Sequence, residues 1–314
     1  MNNIGVLLYI CTTELYHIKH LLMLITQSAG KFLKRKNSIN LGGELIHFSE
    51  PVVMGVMNVT PDSFYDGGKL TDEKVLLRHV ENMVKEGVAF IDVGGISTRP
   101  GAPIVSTKTE LERLLPAVHA IRRNFPEIPL SVDTYRSWVA VRVIEEIGPV
   151  IVNDISGGSL DTNMFETIGK MNVPYVLTHI QGTPQNMQEN PQYDDVLKSV
   201  SFWLSERVKK LTKYGVKDVI IDPGFGFGKS MEHNYDLLNR LDSLKVFQLP
   251  VMVGLSRKSL IWKLLGIKSE AALNGTTAVN TMALLGGADI LRVHDVKEAV
   301  EAVAIFKALK STIS

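Results

Sequence analysis

The chain has 314 residues, 45% of them hydrophobic and 21% charged, which excludes a disordered polymer and leaves room for one large domain or two ordinary ones. Lys and Arg number 34 against 33 Asp and Glu, so a net charge of +1 directs the chain neither to nucleic acid nor to an anionic membrane. A single cysteine, Cys11, excludes an intramolecular disulfide framework and a cysteine-rich metal site, and suits a reducing, cytoplasmic compartment.

Residues 1–37 read as an extension that is poorly ordered, or that follows an upstream start codon with Met23 as an internal alternative. Its apolar runs, Ile4–Ile10 and Leu21–Ile25, fall short of the about 18–20 residues of a membrane span. Its basic cluster (Lys31, Lys34, Arg35, Lys36) follows the apolar runs rather than preceding them, unlike a secretory signal. From Pro51 short β-branched runs alternate with amphipathic segments. The runs are Val52–Val56, Phe90–Val93, Pro129–Val132, Val150–Val152, Val173–Leu177, Val219–Ile221, Pro250–Leu255 and Ile290–Val293. Between them, helical faces are predicted at Val75/Val80/Met83/Val84, Leu111–Ile121, Val139–Ile147 and Val200–Leu211, and a last one at Val296–Phe306. Eight strands with intervening helices predict an α/β fold, a single (β/α)8 TIM barrel over residues 38–314.

Barrels of this kind place their chemistry where the strands end. Each apolar run here is followed by polar residues: Asn58, Asp92, Asp133, Asn153 with Asp154, His179, Asp222, Ser256 to Lys258, and Arg292 with His294. One polar strand end is uninformative, because strand ends meet solvent; eight of eight indicate a convergent site. Carboxylates and an amide suit the flat N–H edge of a heterocycle such as a 2-amino-4-oxo pyrimidine. Arg99, Arg257, Lys258, Arg292 and His294 suit a phosphate or pyrophosphate. For individual residues a plainer role competes. Asp133 or Asp222 could cap the following helix, Arg136 and Arg257 could be surface charges, and Phe225 could be packing. Gly224–Ser230 resembles a P-loop but has Pro223 at the first glycine position, and the histidines show no metal-ligand spacing.

Met54–Gly68, Asp92–Ala102, Ser131–Thr134, Val152–Ile155, Asp222–Lys229, Ser256–Ser259 and Arg292–Asp295 resemble, in order, the motifs of the dihydropteroate synthase family. The resemblance spans about residues 38–310. It implies condensation of 6-hydroxymethyl-7,8-dihydropterin diphosphate with p-aminobenzoate, releasing pyrophosphate, in folate synthesis. It further implies a homodimer, small-molecule substrates, Mg2+, and neither nucleic acid nor membrane as partner. Carried over by position, Asp133, Asn153 and Asp222 contact the pterin edge, and Lys258 contacts its oxygen and ring nitrogen. Arg292 packs over the ring and, with His294 and Asn58, meets the pyrophosphate. Asn58 is also the implied metal ligand, Asp66 supports metal and developing charge, and Thr98 serves both substrates. Phe64, Arg99, Pro100, Phe227 and Ser256 frame p-aminobenzoate. Asp66, Lys258, Arg292 and His294 are the implied catalytic group.

Three positions depart from the family pattern: Ile96 where Glu is usual, Ile180 where Met is usual, and Tyr135-Arg136 where Ser-Lys is usual. None removes a residue assigned to chemistry. A corrinoid-linked pterin methyltransferase barrel would share the acidic pterin floor but have no use for Ser97–Gly101, Ser256–Ser259 and Arg292–His294 together. A silent scaffold barrel would have no use for the intact rim.

Overall fold

The computed structural model describes residues 35–60, 69–97 and 105–312. The chain divides into two units, Met1–Lys36 and Asn37–Ser314, and the fold that follows is that of the second. It opens with an antiparallel hairpin, β1 (Ser38–Leu41) and β2 (Glu44–His47). Gly42 and Gly43 make its turn at φ +65° and +102°, a two-residue connection that needs positive φ at both positions. Asn40 Oδ1 accepts from Gly43 N at 2.7 Å and fixes the corner.

Among the described residues the larger sheet has eight parallel strands: β3 (Val52–Asn58), β4 (Phe90–Gly94), β5 (Leu130–Asp133), β6 (Ile151–Asp154), β7 (Tyr175–Thr178), β8 (Val219–Asp222), β9 (Met252–Val253) and β10 (Ile290–Val293). The ladder runs β8-β7-β6-β5-β4-β3-β10-β9, and a parallel bridge between Ile221 and Val251 joins its two ends into a barrel. Each predicted run overlaps its strand, although the run Pro250–Leu255 contracts to the two residues Met252–Val253. The strands, however, mostly carry one or two residues further at the C-terminal end, so that Asn58, Asp133, Asn153 and Asp222 are strand residues and not loop residues.

Strand alternation sorts the side chains. Val53, Ile91, Leu130, Val132, Val152, Leu177, Ile221, Val253, Leu291 and Val293 face outward into one core shared with the helices. Met54, Phe90, Ile151, Val176, Ile220, Met252 and Ile290 face inward and form a second core with Ile39 and Phe48. The hairpin thus stoppers the N-terminal end of the barrel, with the Phe48 ring 6.3 Å from that of Phe90. Burying each such side chain contributes about 1.5–3 kcal/mol.

The outer helices are α1 (Lys69–Lys85), α2 (Thr107–Asn124), α3 (Ser137–Ile147), α4 (Met164–Met171), α5 (Val196–Lys213), α6 (Met231–Asn239), α7 (Ser259–Leu265), α8 (Leu273–Gly286) and α9 (Val296–Ser311). In α2 the Ser106 hydroxyl caps Thr109 N, and in α6 Ser230 and His233 form a reciprocal capping box. The predicted face of α1 needs one correction. Leu76, Val80 and Met83 are buried while Val75 is exposed, so Leu76 and not Val75 takes the inward position one turn before Val80.

Candidate active site

The alternation that buries Met54, Phe90, Ile151, Ile220 and Ile290 carries Asn58, Asp92, Asn153, Asp222 and Arg292 to the same interior, nearer the C-terminal ends. Asn58, Gly94, Asp133 and Asn153 stand on one rung of adjacent strands, and Thr178 faces Asp222 on another. A Cβ at Gly94 would lie 3.4 Å from Asp133 Cβ and 3.5 Å from Asn58 Oδ1, so the missing side chain leaves a cradle between them.

Arg292 organises this layer. Its Nε donates to Asp92 Oδ2 and its Nη2 to Asp133 Oδ2, each at 2.7 Å, and Asn153 Nδ2 donates to Asp92 Oδ2 at 2.9 Å. The outward oxygens remain: Asp92 Oδ1, Asp133 Oδ1, Asn153 Oδ1 and Thr178 Oγ1 are buried with no hydrogen-bond partner. Each such group costs about 1–3 kcal/mol when left unpaired. Folded proteins tolerate a cluster of them where a ligand completes the bonds. The cluster is acceptor-rich, and it asks for N–H donors.

The charges are balanced rather than neutralised singly. Burial pushes Asp133 up to about 7, opposed by the Arg292 guanidinium and reinforced by the like charge of Asp92. Burial also raises Asp222, against the pull of Lys258. Lys258 is pushed down to about 8 by burial, with Asp222 opposing and Arg292 assisting. Burial works against the charge of Arg292, but Asp92 and Asp133 keep it firmly protonated.

Neither aspartate caps a helix. The N-cap of α3 is Arg136, and α6 is capped by Ser230, while Asp222 Oδ1 accepts from Gly224 N at 2.7 Å within its own loop. Lys258 Nζ donates to the Phe225 carbonyl and lies 4.4 Å from the Phe227 ring centroid. Arg257 is no surface charge: at φ +55° it holds Asp295 bidentately at 2.9 and 2.7 Å, which fixes Ser256 and Lys258 on either side. Ser256 Oγ accepts from His294 N at 3.2 Å and sits 3.1 Å from His294 Nδ1. The hydroxyl, with one hydrogen and two lone pairs, takes the backbone N–H and also holds the imidazole through Nδ1.

Phe64, Asp66, Thr98, Arg99 and Pro100 lie outside the described residues. The structure brings Asn58, Asp133, Asn153, Asp222, Lys258, Arg292, Ser256, His294 and Phe227 to one end of the barrel. Phe225 is fully buried and serves packing. Arg136 is a buried-network residue: it pairs with Glu110, donates to the Val105 carbonyl at 2.6 Å, and shares Glu110 with the Thr134 hydroxyl at 2.7 Å. Ile96 and Ile180 are both buried, so their departures from the family pattern are apolar packing positions. The sequence reading places Asp92 on the rim without a role, yet it is the partner of both Arg292 and Asn153. The signal available was the alternation Phe90–Asp92–Gly94, which aims Asp92 inward.

Known proteins share this fold and much of this sequence. The family model described as "Pterin binding enzyme" matches residues 54–294. The dihydropteroate synthase of Escherichia coli strain K12 is 43% identical over 271 residues, covering 86% of this chain and 95% of the relative. That of Synechocystis is 41% identical over 260 residues, covering 82% and 89%. A crystal structure of Yersinia pestis dihydropteroate synthase in a sulfonamide drug complex superposes with TM-score 0.82 at 40% identity, covering 87% of this chain and 99% of that one. One from Xanthomonas albilineans with 4-aminobenzoic acid gives TM-score 0.80 at 36% identity, covering 87% and 98%.

Proposed function

The chain belongs to the dihydropteroate synthase family of pterin-binding enzymes, transferases of folate synthesis, and from that premise we propose that it joins 6-hydroxymethyl-7,8-dihydropterin diphosphate to p-aminobenzoate. One observation carries the choice of pterin: the unpaired acceptors of Asp92, Asp133 and Asn153 gathered around Arg292. A 2-amino-pyrimidine edge offers adjacent N–H groups to those oxygens, and Lys258 donates to the ring oxygen and nitrogen. Arg292, already engaged by two carboxylates, lies flat over the ring.

The diphosphate then reaches the mouth, where His294 and Asn58 meet it. The C–O bond of the CH2–diphosphate breaks with both electrons leaving on pyrophosphate. The electron-rich dihydropterin stabilises the resulting cation, and the aniline nitrogen of p-aminobenzoate forms the new C–N bond and releases a proton. The barrel needs no covalent nucleophile for this; it neutralises the leaving group and orients the two reactants. Mg2+ fits the residues present. A single amide oxygen beside the Gly94 cradle, completed by diphosphate oxygens and water, is the donor set this ion accepts, and when bound it would offset the leaving group's charge. Asn58 would hold it.

The p-aminobenzoate assignment is supported by the Xanthomonas relative, whose structure contains 4-aminobenzoic acid. Among the described residues no helix is long and apolar enough to cross a membrane. Exposed Leu264, Leu265, Met282 and Leu285 on α7 and α8 offer apolar surface for a homodimer. Purified protein incubated with the pterin diphosphate and p-aminobenzoate, with and without Mg2+, should yield dihydropteroate and pyrophosphate in equal amounts. Release of pyrophosphate without dihydropteroate, or neither product, would defeat the reading.

A further inference from the structure

Lys229 ends the segment Asp222–Lys229, but nothing above gives it a contact with substrate. It is 2% exposed. Its Nζ donates to the carbonyls of Gly224 at 2.8 Å and Phe227 at 3.2 Å, and lies 2.9 Å from His179 Nδ1. An ammonium fills all three acceptors. A neutral amine fits the same geometry by donating to the carbonyls and accepting from the other histidine tautomer. Burial drives both groups well below their ordinary values, with Asp222 opposing and Lys258 assisting at Lys229. The amine is saturated by protein in either state, so it is an internal strut and not a ligand donor.

The strut holds a loop that only glycine can build. Gly224, Gly226 and Gly228 all have positive φ, and a Cβ at Gly224 would lie 1.8 Å from the His179 carbonyl oxygen. From outside, the Tyr193 hydroxyl donates to the Gly228 carbonyl at 2.8 Å and Gln188 to that of Gly226 at 2.6 Å. The Phe225 carbonyl instead accepts from Lys258, and Gly226 packs so closely that a Cβ there would lie 3.1 Å from Lys258 Cδ. Lys229 therefore grips the carbonyls on both sides of the one that seats Lys258.

We propose that Lys229, with His179, is a positioning residue that fixes the Gly224 and Phe227 carbonyls so that Phe225 O and the Phe227 ring aim the Lys258 amine at the pterin. The proposal rests on the reading of Lys258 as a pterin contact. Calorimetric titration of 6-hydroxymethylpterin into the full-length chain, Lys258→Ala and Lys229→Met, from about pH 6 to pH 10, separates the two. If the parent binds no better than Lys258→Ala, the reading of Lys258 fails. The role of Lys229 is judged on the difference between the parent and Lys229→Met alone. Lys229→Met should melt cooperatively and bind the pterin about 10- to 100-fold more weakly. The alkaline limb of binding, set in the parent by Lys258 among Asp222, Asp133 and Arg292, should move to higher pH as the amine gains water. A purely structural role would lower the melting temperature and leave affinity and limb in place below the melt. Lys229→Gln, whose amide NH2 keeps N–H donors for the carbonyls, should recover part of the affinity. Unchanged affinity and limb in folded Lys229→Met overturns the proposal. So does failure of both variants to fold, since Lys229 would then be a folding residue.

Discussion

The two ends of the barrel interior are built from the same strands and obey the same alternation, but they are finished in opposite ways. At the N-terminal end Met54, Phe90, Ile151, Val176, Ile220, Met252 and Ile290 meet each other, Ile39 of the hairpin and Phe48 just after it. At the C-terminal end the next inward positions, Asp92, Asn153, Asp222 and Arg292, meet one another only in part, and oxygens of Asp92, Asp133, Asn153 and Thr178 stay unpaired. The lower layer is complete without a ligand. The upper one is complete only with one, so stability and recognition are stacked in separate layers of a single interior.

Arg292→Met should break that division most severely. It strands the carboxylates of Asp92 and Asp133 together in a buried site, a loss of about 3–5 kcal/mol, and removes a leaving-group contact, a fall of about 100- to 1,000-fold in kcat. Adding Asp133→Asn should restore part of the stability and none of the turnover; restored turnover would deny Arg292 a role in chemistry. Phe90→Ala is the counterpart in the lower layer. Denaturant melts should show a loss of about 3–5 kcal/mol, while pterin affinity measured well below the melt stays near the parent's. A matching loss of affinity would mean that the layers are not separable.

Asp222→Asn sharpens the comparison within the upper layer. The fold should persist, but replacing a carboxylate by an amide presents a mismatched donor, and pterin binding should weaken by about 1–3 kcal/mol in calorimetry. Asp133 predicts a smaller effect in the protein without ligand. Its folded value of about 7 lies above the ordinary 3.8, so the folded chain holds a proton that the unfolded chain has released. That contribution to stability is complete below the unfolded value and disappears as pH rises towards 7. Between pH 5 and pH 6 the parent should lose about 1 kcal/mol relative to Asp133→Asn. A pH-independent difference between the two melts would place Asp133 as a permanent anion. The smallest effect belongs to the extension: removing residues 1–37 should leave both turnover and melting temperature close to the parent's.

The barrel was legible because its strands are buried on both faces and read as short β-branched runs in a fixed rhythm. The hairpin was not, since Ser38–Leu41 and Glu44–His47 are half-exposed and their one firm signal is Gly42-Gly43. Asp133, Asn153, Asp222 and Arg292 were legible as polar residues ending apolar runs. Asp92 was on the same rim, but its pairing with Arg292 spans 200 residues of sequence and no local pattern encodes it. Arg136 and Arg257 misled for the same reason: an arginine's burial depends on a distant carboxylate, Glu110 in one case and Asp295 in the other. Phe64, Asp66, Thr98, Arg99 and Pro100 rest on motif resemblance alone.

The seam between β8 and β9 has a consequence for how the molecule comes together. Every other junction of the barrel is a ladder, whereas this one is a single bridge, Ile221 to Val251, beside a strand of two residues. The seam joins segments that lead directly into Asp222 and into Ser256–Lys258. In hydrogen exchange the amides flanking it should open first, ahead of those in β3 to β6. In folding, a closure that brings the sheet's two edges together adds a long-range pairing to strands already laddered, so it comes late. The carboxylate of Asp222 and the amine of Lys258 would then acquire their mutual field only at that last step. A chain arrested before closure would hold most of its secondary structure and none of its affinity for the ring.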